Sequence, residues 1–312
     1  MIEILNIALP FFGLILLGVI AGRIWNKGED GLAWLNIYVL YFALPPLIFM
    51  VVAQTPLEKL ANPAYVMATA GATSICFLTM MFLSRRLFAT PIREAALQGT
   101  SAAYGNVGYM GLPLAVAFFG QQAAVPAALV FCFDIVVLFV LTAVFAGLED
   151  HQESRPKLIG KILKAVFTHP FNVATLLGVA ASALKWQPES GLLTIVEMLM
   201  RSAAPVALFA MGVTVSLRGK PALNVELGTL GAIKLFLHPT LAFLAVWMFV
   251  SADHVWLKVA VMMAALPTAT NAFILARQYN AYVAGAGAAV IATTAVSVIT
   301  IPILVYILQY AL

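Results

Sequence analysis

Charge is scarce in this sequence, and the few charged residues lie mostly between long apolar runs. Charged residues make up 10% of the chain against 63% hydrophobic residues, and the mean hydropathy is +1.00. The longest polar connection extends only from Glu149 to Lys157. A water-soluble domain needs a polar surface of its own, so this distribution excludes one and indicates a single membrane domain.

Cysteine and the common catalytic motifs are also scarce or missing. Cys76 and Cys132 both lie in apolar runs without CxxC spacing, which predicts two buried thiols and not a disulfide or metal pair. The sequence has no H-E-x-x-H, G-x-S-x-G or G-x4-G-K-[ST] motif. These absences argue against a zinc protease, a nucleophile-elbow hydrolase and an ATP-driven machine. We therefore expect no enzyme activity and no cofactor or metal.

What the chain does contain is a series of apolar runs, each long enough to cross a hydrocarbon core of about 30 Å as a helix. We predict ten spans, near residues 5–25, 32–53, 63–84, 94–119, 123–148, 160–184, 191–216, 223–250, 255–279 and 284–310.

Basic residues are distributed unevenly among the connections between these spans. Those after the odd-numbered spans hold Arg23, Lys27, Arg85, Arg86, Arg93, Arg155, Lys157, Lys161, Lys164, Arg218, Lys220 and Arg277. The opposite side holds only Lys59, Lys185 and Lys258. The positive-inside rule places the first set in the cytoplasm and both termini outside. The net charge of +4 therefore reflects topology and does not indicate nucleic-acid binding.

The two halves of the chain match each other at a nearly constant offset. At 160 residues, matches include Pro10, Leu16, Gly18, Ala43, Pro45, Phe49, Thr69 and Gly71 with Pro170, Leu176, Gly178, Ala203, Pro205, Phe209, Thr229 and Gly231. An offset of 165 then aligns Asn106 with Asn271. Five spans per copy, an odd number, make the second copy enter from the opposite side. We predict an all-α membrane protein of two inverted five-helix repeats, 1–148 and 161–312, joined by a cytoplasmic connection at 149–160.

Spans 4 and 9 are interrupted near their midpoints by glycine, proline and polar residues. A pair of interrupted spans at matching positions is a strong sequence pointer to a transporter's binding site. Two restarted half-helices would present N–H groups and positive dipole ends, which favour an anion such as a carboxylate. Thr268, Thr270 and Asn271 are of helix-capping type. The predicted site residues are Asn106, Gly108, Gly111, Pro113, Pro267, Thr268, Thr270 and Asn271. The alternative is that both breaks are packing kinks.

Two ionisable residues lie within spans, where charge is costly. Asp134 is in the middle of span 5, and it is either a carrier of a coupling proton or a structural acid that hydrogen-bonds a broken helix. Lys234 is in span 8, four residues before His238. It either contacts substrate or Asp134, or extends its ammonium towards the interface.

Several motifs in this chain are those of one transporter family. They are Ala264-Ala265-Leu266-Pro267, Phe273, Ala276, Tyr279-Asn280, Val290-Ile291, Pro302, Leu304-Val305-Tyr306, the N-x4-G-x-P pattern of Asn106, Gly111 and Pro113, Lys234-Leu235 ahead of Pro239, and Ala43-Leu44-Pro45. By these residues the chain resembles the auxin efflux carrier family, which includes plant auxin exporters and bacterial malonate or malate carriers.

The resemblance implies that helices 4 and 9 cross at their breaks. It further implies a dimerising scaffold of helices 1, 2, 6 and 7 and a transport domain of helices 3–5 and 8–10 that moves as an elevator for organic anions. This chain lacks the long cytoplasmic loop of the plant exporters and has Thr-Ala-Thr-Asn after Pro267. These departures favour a small carboxylate over auxin, with proton coupling as an option, in a homodimer of the bacterial inner membrane.

Other functional classes fit the sequence less well. A cation/proton or sodium-coupled carrier of the same crossover fold is the alternative. Such proteins generally hold acids beside the crossing, where this chain has asparagine and threonine. A channel is disfavoured because central breaks in an inverted repeat are typical of carriers.

Overall fold

The computed structural model describes residues 2–25, 28–147, 160, 163–164, 167–168, 170–186, 190–217, 223–250 and 254–310. Within these residues the chain is almost entirely helical, and β pairing is limited to one isolated antiparallel bridge. The all-α prediction is therefore confirmed for the described part. The predicted connection at 149–160 lies outside it, apart from Gly160.

The α-helices with defined bounds follow one another in chain order. They are α1 (Ile2–Trp25), α2 (Gly28–Ile37), α3 (Leu44–Ala53), α4 (Leu57–Leu60), α5 (Pro63–Leu87), α6 (Ile92–Ala103), α7 (Leu112–Phe119), α8 (Ala124–Gly147), α9 (Pro170–Ala183), α10 (Ser190–Leu217), α11 (Val225–Ala232), α12 (His238–Phe249), α13 (His254–Ala264), α14 (Thr270–Gln278) and α15 (Val283–Tyr310).

Most of these helices are membrane-type by length and composition. Among the described residues, six helical segments are long and apolar enough to cross a membrane: Gly31–Ala53, Pro63–Leu87, Gln121–Gly147, Gly191–Leu217, Val225–Phe249 and Val283–Tyr310. Shorter apolar helices are Leu9–Trp25, Val107–Phe119, Pro170–Ala183 and His254–Ala264. All of them coincide with predicted spans, and the two predicted broken spans are among the shorter helices because their apolar runs are interrupted.

Three helical segments widen into a π-helical turn just before a proline. The π turns are Tyr38–Ala43, Val107–Gly111 and Ile233–Leu237, and each is followed by an α-helix with proline in its first turn. Proline has no N–H, and its ring clashes with the carbonyl of the residue four positions earlier. A wider turn relieves that clash, and such π segments are frequent at functional sites.

The described chain forms two compact units. Unit 1 contains Met1–Asn62, Gly108–Cys132 and Thr168–Gly219, and unit 2 contains Pro63–Val107, Phe133–Phe167 and Lys220–Leu312. The unit boundary at Val107 separates the two halves of the interrupted fourth span. The roles of scaffold and transport domain remain predictions.

Glycine allows close helix packing in unit 1. α1 lies along α10, where a Cβ added to Gly18 would overlap the carbonyl oxygen of Phe209. α9 lies along α3, where a Cβ on Gly178 would be 2.9 Å from the carbonyl oxygen of Phe49. Small residues that bring backbones together are typical of membrane helix interfaces, where packing and not the hydrophobic effect drives association.

Unit 2 is built around α5, which packs against α6 and α12. At one end of α5, the ring of Tyr65 meets the edge of Trp256, with ring centroids 4.7 Å apart. Further along, Phe77 lies against Phe145 of α8. The aromatic contacts hold α5 against α13 and α8, and its Thr69 and Thr73 are buried.

Candidate functional site

Unit 2 contains the two predicted interruptions as non-helical segments, Tyr104–Asn106 and Ala265–Ala269. α6 has 12 residues before the first and α13 has 11 before the second. At 1.5 Å per residue these are about 18 and 16 Å. Each length is about half the thickness of a 30 Å hydrocarbon core.

The two segments pair with each other through their backbones. Gly105 and Thr268 form an antiparallel bridge. The N–H of Asn106 donates to the carbonyl of Pro267 at 2.8 Å, and the N–H of Ala269 donates to the carbonyl of Tyr104 at 2.9 Å. Backbone groups freed within hydrocarbon must find partners, and these two segments satisfy part of that need mutually. The N–H groups of Asn106 and Ala269 are therefore both used in this pairing.

Side chains satisfy carbonyls at the C-terminal ends of the two half-helices that precede the breaks. The hydroxyl of Thr268 donates to the carbonyl of Ser101 in the last turn of α6 at 2.8 Å. The ammonium of Lys234 donates to the carbonyl of Ala264, the last residue of α13, at 2.6 Å. The last four carbonyls of a helix lack intrahelical partners, and a cation there also complements the helix dipole.

The asparagines of the predicted site differ in their surroundings. Asn271 is half-buried, and its Nδ2 donates to the hydroxyl of Tyr104 at 3.0 Å, which links α14 to the end of α6. Asn106 is buried. The structure thus brings Asn106, Pro267, Thr268, Thr270 and Asn271 together in unit 2.

The prediction that Thr268, Thr270 or Asn271 caps the second restart is wrong. The N-cap of α14 is Ala269, which makes no side-chain cap hydrogen bond. Thr268 does not cap α14 because its hydroxyl bonds to α6, and its N–H donates to Thr293 of α15 at 2.9 Å. Thr270 and Asn271 are the first two residues of α14, and their N–H groups have no acceptor within the helix.

Three predicted site residues lie in unit 1. Gly108 faces Phe131, since an added Cβ would be 2.7 Å from a ring carbon. Gly111 is the N-cap of α7 with a helical backbone. Pro113 lies in the first turn of α7, as predicted for a restarted half-helix.

The predicted ionisable residues belong to a buried polar series formed by Lys234, His238, Thr73 and Asp134. Lys234 is 0% exposed and Asp134 is 3% exposed. Nζ of Lys234 is 3.0 Å from Nδ1 of His238. Nε2 of His238 is 3.1 Å from Oγ1 of Thr73, which donates to Oδ1 of Asp134 at 2.8 Å. Lys234 is thus directed inward and does not extend to an interface.

Sequence reasoning missed several residues of this region. Tyr104, Ser101 and Thr293 bond to the second break, and Thr73 joins Asp134 to His238. A hydroxyl in an apolar span normally bonds to its own helix, as Thr69 does, so such residues carry little signal alone. The four-residue spacing of Lys234 and His238 was the one available indication.

Comparison with known proteins extends the resemblance to nearly the whole chain. The membrane transport protein family matches residues 4–305. A relative from Rhizobium meliloti (strain 1021) named "Putative malonate transporter" is 37% identical over 310 residues, which cover 99% of this chain and 97% of the relative. Two relatives named as uncharacterized transporters are more distant. YfdV of Escherichia coli (strain K12) is 25% identical over 309 residues, 96% of each chain, and that of Methanothermobacter thermautotrophicus is 24% identical over 291 residues, 93% of each chain.

These matches agree with the apolar helices and with the paired breaks of unit 2. They place the chain among integral, multi-pass membrane transporters and not among enzymes. Because the family match covers all but the ends of the sequence, the chain belongs to the membrane transport protein family, the auxin efflux carrier family that its motifs resemble.

Proposed function

We propose that this protein is a secondary carrier that moves a small carboxylate, such as malonate or malate, across the membrane. The observation that carries the proposal is the pairing of the two interrupted helices in unit 2 through the Asn106–Pro267 and Tyr104–Ala269 hydrogen bonds. Broken helices at membrane depth are tolerated where they are buried in protein or line a cavity, and in carriers they form the substrate site.

The electrostatics of the pairing favour an anion over a cation. Neither Tyr104–Asn106 nor Ala265–Asn271 contains an acidic residue. The first turn of α14 offers N–H groups and the positive end of a helix dipole. The amides of Asn106 and Asn271 add donors without the cost of burying a charge. A carboxylate suits such a site because its oxygens only accept hydrogen bonds.

The named relative supports the substrate class. A protein 37% identical over almost the full length bears the name of a malonate transporter. The absence of the plant exporters' long loop favours the same class of small carboxylate.

We further propose ten spans in two inverted repeats. One pair of contacts in the structure supports the repeat independently of the sequence matches. The offset of 160 residues pairs Gly18 with Gly178 and Phe209 with Phe49. In unit 1 the same pairs make equivalent contacts, Gly18 against the carbonyl of Phe209 and Gly178 against that of Phe49. An inverted repeat predicts such mirrored contacts. We also propose elevator motion, a homodimer formed through the predicted spans 1, 2, 6 and 7, and termini that face outward.

A binding experiment and a transport experiment together test this function. Purified protein is heated with malonate, malate or the uncharged analogue malonamide, and we expect a higher unfolding temperature with the carboxylates only. Ligand that binds only the folded state stabilises it by about 2.7 kcal/mol at one hundred times the dissociation constant. Proteoliposomes should then take up labelled malonate or malate without sodium. Equal stabilisation by malonamide, or no uptake of either acid, would refute a carboxylate site.

The same proteoliposomes test the cation carrier as the alternative. That function predicts sodium or proton flux without any added carboxylate. Carboxylate-independent cation flux would therefore replace the proposed function, and single-channel conductance would exclude a carrier.

A further inference from the structure

The buried polar series connects Asp134 to the broken helix α13 without a gap. Each neighbouring pair from Lys234 through His238 and Thr73 to Asp134 lies within hydrogen-bond distance, from 2.8 to 3.1 Å. All four side chains are almost completely buried. Other titratable groups near this series are Tyr65 and Cys76, both on α5. The series thus joins α12, α5 and α8 by side chains that can exchange protons.

The chemistry of the two ends fixes the direction of every hydrogen bond. A lysine ammonium has donors only, so Nδ1 of His238 must accept, and the imidazole is neutral with its proton on Nε2. Nε2–H then donates to Oγ1 of Thr73, which leaves the hydroxyl proton of Thr73 for Oδ1 of Asp134. All three donors are therefore oriented from Lys234 towards Asp134.

This arrangement has a second state that differs by one proton shift along the series. A proton passes from Nζ of Lys234 to Nδ1 of His238, one from Nε2 to Oγ1 of Thr73, and one from that hydroxyl to Oδ1 of Asp134. The product contains a neutral amine, the other imidazole tautomer and a carboxylic acid. Every bond broken to hydrogen is matched by one formed. Because isolated buried charges are costly, a step that removes both charges together avoids an unpaired charge in the membrane.

The lysine end of the series bonds to the residue before the second interrupted segment and lies close to Gly105 of the first. Nζ of Lys234 donates to the carbonyl of Ala264 at 2.6 Å. A Cβ added to Gly105 would lie 3.3 Å from the same nitrogen. The charge on Lys234 therefore favours the negative end of α13 at the point where the backbone leaves the helix. Loss of that charge weakens the contact beside the paired segments.

We propose that Lys234, His238, Thr73 and Asp134 form a proton relay that links the protonation of Asp134 to the crossing of the broken helices. The inference rests on the proposed carrier function, because the crossing is the proposed carboxylate site. In this mechanism a proton passes from Lys234 through His238 and Thr73 to Asp134, and the coupling proton then binds the neutral amine of Lys234. Lys234 thus loses its charge when Asp134 receives the relayed proton and regains it with the coupling proton, which alters the hydrogen bond to the carbonyl of Ala264.

The central test interrupts the relay at Thr73. Thr73→Val removes the hydroxyl with little change in volume, whereas Thr73→Ser keeps it. Thr69→Val is the matched control, since Thr69 lies one turn away on α5 and its hydroxyl bonds to the carbonyl of Tyr65. Proteoliposomes report labelled malonate uptake driven by an imposed pH gradient, proton entry by an internal pH dye, and malonate exchange at equal pH.

We expect Thr73→Val to lower pH-driven uptake and proton entry by about tenfold or more, because a buried charged hydrogen bond is lost. Malonate exchange should remain, and Thr73→Ser and Thr69→Val should behave like the wild type. Equal coupling in Thr73→Val and Thr73→Ser overturns the relay. If the wild type exchanges neither malonate nor malate, the proposed carrier function fails instead.

An infrared measurement tests the relay without any transport. Protonated Asp134 should give a carboxylic-acid C=O band that rises as pH falls and is missing in Asp134→Asn. Thr73→Val should change the pH at which the band appears, whereas Thr73→Ser should not. A wild-type spectrum without this band at any pH that leaves the protein folded overturns the proposal.

His238→Gln keeps an amide donor and acceptor but cannot exchange tautomers. This variant should retain the fold and lose proton entry.

Discussion

Thr268 illustrates at the scale of one residue how the broken helices are stabilised. It bridges with Gly105, its N–H donates to Thr293, and its hydroxyl donates to Ser101. These backbone and side-chain contacts join α6, α15 and the first break to a residue that is fully buried. The sequence identified Thr268 as important but for a different reason, because a capping role depends on local position and these bonds depend on distant partners.

Replacement of Thr268 by valine should therefore destabilise the protein. The change leaves the buried carbonyl of Ser101 without its donor, which costs about 1–3 kcal/mol. We expect a lower unfolding temperature in detergent, with Thr268→Ser close to the wild type. Thr229→Val is the control, since the Thr229 hydroxyl makes an exposed hydrogen bond to the carbonyl of Val225 in its own helix. A wild-type unfolding temperature in Thr268→Val would contradict the structural role.

The two asparagines carry the second residue-scale prediction. Asn106→Ala and Asn271→Ala remove amide donors at the paired segments, and Asn271→Ala also breaks the bond to Tyr104. We expect both variants to insert and to elute as the wild type does, but to abolish malonate uptake in proteoliposomes. Gln122→Ala removes an exposed amide and should leave uptake unchanged. Wild-type uptake in both asparagine variants would refute the site.

At the scale of elements, the positions of the two helix breaks were easier to predict than the pairing of one break with the other. Glycine, proline and polar residues within apolar runs marked both breaks because each residue type disturbs the helix locally. A crossing of the two breaks was expected only from the family resemblance, and the antiparallel bridge between them was not predicted. Pairing depends on two segments more than 160 residues apart in sequence, as the bond from Ala269 to Tyr104 shows, so local rules cannot supply it.

Packing of α1 on α10 gives an element-scale prediction. Gly18→Ala places a methyl group into the backbone of Phe209, and overpacking of this kind costs about 1–3 kcal/mol. Gly13→Ala, on the same helix, meets nothing within 4 Å, and alanine improves helix propensity by up to about 1 kcal/mol. Thermal unfolding should therefore show a loss for Gly18→Ala and no loss for Gly13→Ala. Equal effects would indicate that the close approach is not required.

At the scale of the whole molecule, the charge distribution bears on membrane orientation, and the two compact units show how the chain is divided. The excess of basic residues after odd-numbered spans predicts sidedness, a property that contacts within the protein do not determine. The two units divide the chain at Val107, within the fourth span. The sequence did not predict that division, because a repeat register does not show which neighbouring elements each half-helix contacts.

The topology prediction can be tested with reporter fusions in bacteria. Alkaline phosphatase fused after Leu312 should be active, because it folds only outside the cytoplasm, whereas green fluorescent protein at the same point should be dark. Fusions within the predicted cytoplasmic connection at 149–160 should show the reverse pattern. A bright fluorescent fusion at the C-terminus would invert the predicted orientation.

The sequence by itself determined the membrane class, the positions of the apolar helices and the two breaks, since hydropathy and helix-breaking residues act locally. It also identified Asp134 and Lys234, because charge in an apolar run is conspicuous. Only the tertiary structure decided that Ala269 is the cap, that Lys234 bonds to Ala264, and that Thr73 and His238 connect it to Asp134. Those relations depend on which side chains three-dimensional packing brings within hydrogen-bond distance.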